Sequence, residues 1–284
     1  MYSDWETDVG NYKHRNGYFF RTSEQENRFK MISFVDKKIL VVGASSGIGA
    51  ETAHKLAELG AKVVLVARRE EMLRQICSLI GENSAYYYVA DVTDHEKIEN
   101  LVDRIVSDIG KLDGMVYSAG IVEDVPLRFL THEKLLKTFE VNYFSFVEFV
   151  RQVSKKKNYN PGMRILAISS VSSLMGEKAH SSYCASKAAI DATIRCLAKE
   201  LWDKGIALNS VQPGMIRTRL YDEFVEKTGD EGSANEALKK NQYAGIGEPS
   251  DVANAIAFLL SEESRYITGT ALLMDGGTFT ASSS

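Results

Sequence analysis

From residue 38 onward, short apolar runs alternate with amphipathic stretches. Ile39-Leu40-Val41-Val42 is apolar at every position, the pattern of a strand covered on both faces. Comparable runs at 62–67, 86–90, 112–117, 164–169, 206–211 and 271–274 predict six more strands. Helices are predicted between them, over 50–59 with Gly60 as its cap, 69–80 stopping at Gly81, and from Asp94 to 109. A long amphipathic stretch covers 131–157, another helix runs from about 181 to 204, and a last one spans 249–261, capped near Ser250. Strand and helix in strict alternation predict a doubly wound parallel sheet of about seven strands with helices on both faces. Residues 215–245 are charged and poor in strand signals. No linker or repeat interrupts 34–284, which is expected to be one α/β domain. Residues 1–33 lack this periodicity and read as a peripheral extension. Only Trp5, Tyr12, Tyr18, Phe19 and Phe20 hint at packing there.

Composition narrows the classes. Apolar content of 44% and charged content of 25% suit a globular domain with a sizeable core. A net charge of −4 gives no reason to expect a nucleic-acid or membrane partner. No apolar run has the length of a membrane span, and the N-terminus lacks the order of a secretion signal, so a cytoplasmic protein is expected. Cys77, Cys184 and Cys196 are too far apart for a disulfide framework or zinc knuckle, and the five histidines are scattered, so no metal site is expected.

Two stretches carry chemistry. Gly43-Ala44-Ser45-Ser46-Gly47-Ile48-Gly49 falls between the first strand and the first helix. Glycines at Gly43, Gly47 and Gly49 let the backbone turn and approach a pyrophosphate at a helix N-terminus. The second strand ends in Ala67 with no carboxylate to hold a ribose 2′-hydroxyl, and Arg68 and Arg69 follow. A guanidinium there can grip a 2′-phosphate, so NADP(H) is favoured over NAD(H), with Arg68 the better candidate. Asp91, after the third strand, is placed to meet an adenine edge, with Val92 beside it. The second stretch is Tyr183-Cys184-Ala185-Ser186-Lys187. On a helix Tyr183 and Lys187 share a face. Moving a tyrosine from about 10 to about 7 takes roughly 4 kcal/mol, more than one lysine supplies, so further help is implied.

Together these residues resemble the classical short-chain dehydrogenase/reductase family, over nearly all of 34–284. The resemblance rests on the glycine motif, on Tyr183 and Lys187, on Ser170 after an apolar strand, and on Asn142 in Glu140-Val141-Asn142. It extends to Pro213-Gly214-Met215-Ile216-Arg217-Thr218, to 247–253, and to Tyr266-Ile267-Thr268-Gly269 ahead of Asp275-Gly276-Gly277. It implies a Rossmann-like fold and hydride transfer between a nicotinamide and a carbonyl carbon. Tyr183 would be the proton donor, Lys187 would lower its pKa and hold the cofactor ribose, Ser170 would fix the substrate oxygen, and Asn142 would anchor a water. Ser45, Ser46, Ile48, Ser118, Ala119, Gly120, Pro213, Gly214, Ile216 and Thr218 would border the cofactor. It also implies a homodimer or homotetramer. Where the family has two asparagines before Ala-Gly, this chain has Tyr117-Ser118, which puts the usual ties of that strand in doubt; Ser118 is the expected substitute.

The expected substrate is a small carbonyl or alcohol, with a carrier-bound 3-oxoacyl chain as one candidate. Lys155, Lys156, Lys157, Arg164 and Lys204 could dock an acidic carrier. Leu220, Tyr221, Phe224 and Val225 suit a lid with an apolar inner side. Two alternatives stand beside this: an NAD-dependent alcohol, sugar or steroid dehydrogenase, and a dinucleotide-binding regulator without turnover. The second tends to lose the tyrosine or lysine, and both are present.

Overall fold

The computed structural model describes residues 8–9, 12–15, 18–21, 32–81 and 83–281. Asp8–Val9 (β1), Tyr12–Arg15 (β2) and Tyr18–Arg21 (β3) form an antiparallel sheet and, among the described residues, pair only with one another. The aromatic side chains singled out before residue 21 lie outside the described residues. The main sheet contains Lys38–Val42 (β4), Lys62–Ala67 (β5), Ala85–Val89 (β6), Leu112–Tyr117 (β7), Tyr159–Ile168 (β8), Ala207–Pro213 (β9) and Ala271–Met274 (β10). All seven are parallel, in the order β10-β9-β8-β7-β4-β5-β6.

Strand pleating explains the layers. Leu40 and Val42 face one side with Val64 and Val66, against Ile98, Val102, Phe146, Phe149, Ile190 and Ile194. Ile39 and Val41 face the other, against Ala53, Leu56, Leu73, Val252 and Ile256. The first face is covered by His95–Ile109 (α3), Ser145–Val153 (α5) and Ser181–Trp202 (α6). The second is covered by Gly47–Glu58 (α1), Glu70–Ile80 (α2) and Pro249–Leu260 (α9). Each such side chain contributes about 1.5–3 kcal/mol by leaving water, so these two layers dominate stability.

Several boundaries differ from the sequence expectation. Helix α1 begins at Gly47, inside the glycine motif. The stretch 131–157 is three pieces: His132–Phe139 (α4), a π-turn Glu140–Phe144, and α5. Helix α9 is capped by Glu248, whose partner in a reciprocal cap is Asp251, and not near Ser250. Residues 215–245 hold two helices, Arg219–Thr228 (α7) and Glu231–Lys239 (α8). Among the described residues no helix is long and apolar enough to cross a membrane.

Candidate active site

The chain crosses over between β4 and β7, and a cleft of about 1020 Å³ opens beyond the C-terminal ends of these strands. That is where an open parallel sheet presents a ligand crevice. Gly43 leaves β4 with φ +85° and Gly47 starts α1 with φ +55°, both in the region that favours glycine. A Cβ on Gly43 would lie 2.4 Å from the Ala119 nitrogen, and one on Gly49 would lie 2.4 Å from the Gly43 carbonyl oxygen. The Ser46 side chain does not cap α1, so the first N–H groups of the helix are left to the cleft.

Arg69 reaches over this turn. Its Nη2 donates to Ser45 Oγ (2.9 Å) and Ser46 Oγ (2.7 Å), and its Nε donates to Ser45 Oγ (3.3 Å). Arg68 instead lies 3.7 Å from Asp91, whose carboxylate also accepts from the Thr93 N–H and hydroxyl. The arginine attached to the glycine turn is therefore the second of the pair. Ser45, Ser46, Gly47, Ile48, Arg68, Arg69, Asp91, Val92, Ser118, Ala119 and Gly120 all line the cleft, as do Pro213, Gly214, Ile216 and Thr218. Gly49 does not; it lets the turn close on itself. Met215 lines the cleft within its motif, and Ile121, Val122 and Asp222, which no sequence signal marked, line it too.

The opposite wall carries Ser170, Tyr183 and Lys187. Tyr183 and Lys187 are one turn apart on α6, with the lysine Nζ 5.7 Å from the tyrosine ring centre. Lys187 is 4% exposed and donates to the Ile168 carbonyl at the end of β8 (2.7 Å). Burial lowers its pKa to about 8. Tyr183 is half-buried, and burial pushes its hydroxyl up to about 12, opposed by a hydrogen bond with Ser170. Burial penalises the charged form of both groups, and for Tyr183 it is the largest influence. Asn142 lies behind this wall, fully buried in the π-turn. Its side chain donates to the Ile121 carbonyl (3.0 Å) and Ser186 Oγ (2.9 Å) and accepts from the Ile121 N–H (2.8 Å). Both amide N–H groups are used, so the side chain has no donor left for a water.

The sequence from Gly43 to Phe279 matches the model of a family described as enoyl-(acyl carrier protein) reductase. The chain belongs to the short-chain dehydrogenase/reductase family. It is 33% identical to the 3-oxoacyl-[acyl-carrier-protein] reductase FabG of Rickettsia conorii over 247 residues, which is 87% of this chain and 98% of that protein. A dehydrogenase/reductase from Sinorhizobium meliloti 1021 superposes with a TM-score of 0.80 at 32% identity, covering 87% of this chain and 96% of that one. A short-chain type dehydrogenase/reductase from Mycobacterium ulcerans superposes equally well, at 0.80 and 28% identity, covering 87% and 91%.

Within this family the Tyr117-Ser118 departure has a structural answer. The Tyr117 hydroxyl, fully buried, donates to the Val141 carbonyl in the π-turn at 2.6 Å. The tie expected of Ser118 comes from Tyr117, while the Ser118 N–H donates to the Val42 carbonyl. Tyr117→Phe keeps the ring and removes the donor of this part-buried bond. It should cost about 0.5–1.5 kcal/mol, read as a lower urea midpoint at unchanged slope.

Two other expectations shift. Tyr221 ties α7 to α8, its hydroxyl donating to Asn235 Oδ1 (3.0 Å), whereas Leu220 lines the cleft. Lys155 and Lys157 are paired with Glu99 and Asp103, and Arg164 is buried 3.6 Å from Glu262. Lys156 and Lys204 line a hollow at the N-terminal ends of β8 and β9, the opposite end of the sheet from the cleft. Near the C-terminal end of α7, Lys227 and His180 both hold Asp124, and His180 Nδ1 meets Glu177 at 2.6 Å.

Proposed function

We propose that this oxidoreductase reduces a 3-oxoacyl thioester to the 3-hydroxyacyl product with NADPH. The observation that carries the reductase part is the convergence of Ser170, Tyr183 and Lys187 in the cleft that the glycine turn also lines. The acyl part is supported by likeness to the 3-oxoacyl-[acyl-carrier-protein] reductases.

The residues fit a dinucleotide. Gly43 and Gly47 turn the backbone at the cleft with positive φ, and the Ser46 side chain leaves the first N–H groups of α1 uncapped beside that turn. When bound, the dinucleotide supplies the hydride. Gly43, Gly47 and the start of α1 hold its pyrophosphate, and Arg69 with Ser45 and Ser46 holds the 2′-phosphate. Ser118, Ala119 and Gly120 border it from β7, and Pro213, Gly214, Ile216 and Thr218 from β9. Ser170 hydrogen-bonds the substrate oxygen, and Tyr183 gives that oxygen its proton as negative charge develops. Lys187 stabilises the phenolate left behind, aided by the positive charge of the oxidised nicotinamide. Asn142 braces the β7 loop against α6.

Initial rates with NADPH and NADH against a panel of ketones and 3-oxoacyl thioesters test this. Turnover should favour NADPH and thioesters. Arg69→Ala should cut the NADPH-to-NADH ratio of kcat/KM roughly 10- to 100-fold, the worth of a lost charged hydrogen bond of about 1.5–3 kcal/mol. An unchanged ratio, or a wild type that prefers NADH, overturns the cofactor assignment.

A further inference from the structure

Beneath the catalytic wall lies a carboxylate that the reaction as described does not use. Asp191 sits on α6 one turn beyond Lys187 and is 6% exposed. It accepts hydrogen bonds from Ser169 Oγ (2.9 Å), Ser210 Oγ (2.7 Å) and Gln212 Nε2 (2.8 Å). All three donors are neutral. A buried carboxylate without a cation in contact is costly unless a nearby charge repays it. The same donors lead to the working residues. Ser169 precedes Ser170 and also donates to the Lys187 carbonyl (3.2 Å). Gln212 precedes Pro213 and also donates to Ser173 Oγ (2.7 Å), in the turn that Ser170 caps.

We propose that Asp191 is the buried counter-charge of Lys187. Fixed by Ser169, Ser210 and Gln212, it keeps the ammonium protonated and locks together the segments that carry Ser170, Lys187 and Pro213. Asp191 is thus a positioning residue, and the inference rests on Tyr183 and Lys187 being the proton-transfer pair.

The surroundings of Lys187 leave this role to Asp191. Facing the lysine are the Tyr183 ring on the same helix, the Ile168 carbonyl from β8, and Gly120 with Asn142 from the β7 loop and π-turn. Tyr183 is the one titratable member of that set, and Asp191 stands one helical turn further on, outside contact but joined to the Lys187 backbone through Ser169 Oγ. Burial drives the ammonium toward its neutral form, and the Asp191 charge opposes it.

Asp191→Asn keeps the shape and removes the charge. Lys187 should then lose its proton about one pH unit earlier, and the alkaline limb of kcat/KM should move down with it, as the apparent pKa of a coupled pair. The lysine is followed by the 13Cε resonance that Lys187→Arg deletes. A purely structural role would lower the melting temperature and leave both midpoints in place, and that result overturns the inference. The wild type alone also decides: a Lys187 already neutral at pH 7 means that no counter-charge acts, even if Asp191→Asn does not fold. If the wild type reduces no carbonyl in the panel, the reductase proposal fails separately, while the lysine titration still tests the Asp191–Lys187 pair.

Discussion

Tyr183→Phe should lower kcat by about 100- to 10,000-fold, the usual weight of a positioned proton donor, and leave dinucleotide affinity close to wild type. The ring stays, so its packing at the start of α6 and its place beside the Lys187 ammonium are kept. Only the hydroxyl goes, and with it the hydrogen bond with Ser170. The pair of readouts is what decides. Stopped turnover with unchanged binding, followed by fluorescence of the reduced dinucleotide, assigns the proton to Tyr183. Turnover that survives within tenfold places the donor elsewhere in the cleft. Loss of binding together with turnover would show that the hydroxyl holds the cofactor rather than the substrate.

Gly43→Ala attacks the other wall and should damage folding and binding at once. The backbone at Gly43 has φ +85°, where a side chain costs about 1–2 kcal/mol. The new methyl would also stand 2.4 Å from the Ala119 nitrogen and 2.7 Å from its Cα. Those neighbours are backbone at the end of a central strand and cannot turn aside as a flexible side chain would. Overpacking of this kind adds about 1–3 kcal/mol. For a domain of this size the sum should lower the melting temperature by roughly 5–15 °C. Whatever folds should bind the dinucleotide at least tenfold more weakly, since β4 and β7 must part where the ligand lies. A melting curve and a dinucleotide titration of the same sample check both. Wild-type values would mean that the two strand ends are not in close contact.

How much of this was legible depends on what kind of interaction fixed each element. The seven strands follow from continuous apolar runs such as 39–42, because burial on both faces leaves no polar position to confuse the pattern. The strand before Ser170 is longer than expected. It begins at Tyr159, which pairs with Leu112, and Asn160-Pro161-Gly162 fall in the register shift before Arg164 pairs with Gly114. The π-turn had no local signal. It coincides with the Asn142–Ile121 and Tyr117–Val141 hydrogen bonds, which join residues more than twenty positions apart. Arg68 looked better than Arg69 because it comes first after the strand. Both arginines line the cleft; Arg68 lies 3.7 Å from Asp91 at its rim, and Arg69 is the one hydrogen-bonded over the glycine turn. Asp191 reads in sequence as half of an ordinary i,i+4 pair on a helix surface. Only the fold shows that this surface is pressed against β9.

The hydroxyl of Tyr117 has a wider consequence. A motif is a spelling, whereas what a fold requires is a donor at a given point in space. Here the spelling has changed at two letters, and the donor has not been lost. It arrives on a longer side chain from the last residue of the strand. A comparison by letters would score this chain as degenerate at a position where the strand end is tied to the π-turn. A comparison by which atom meets the π-turn carbonyl would score it as intact. Relatives that spell the strand end differently are therefore better sorted by the reach and polarity of that side chain than by whether it is asparagine.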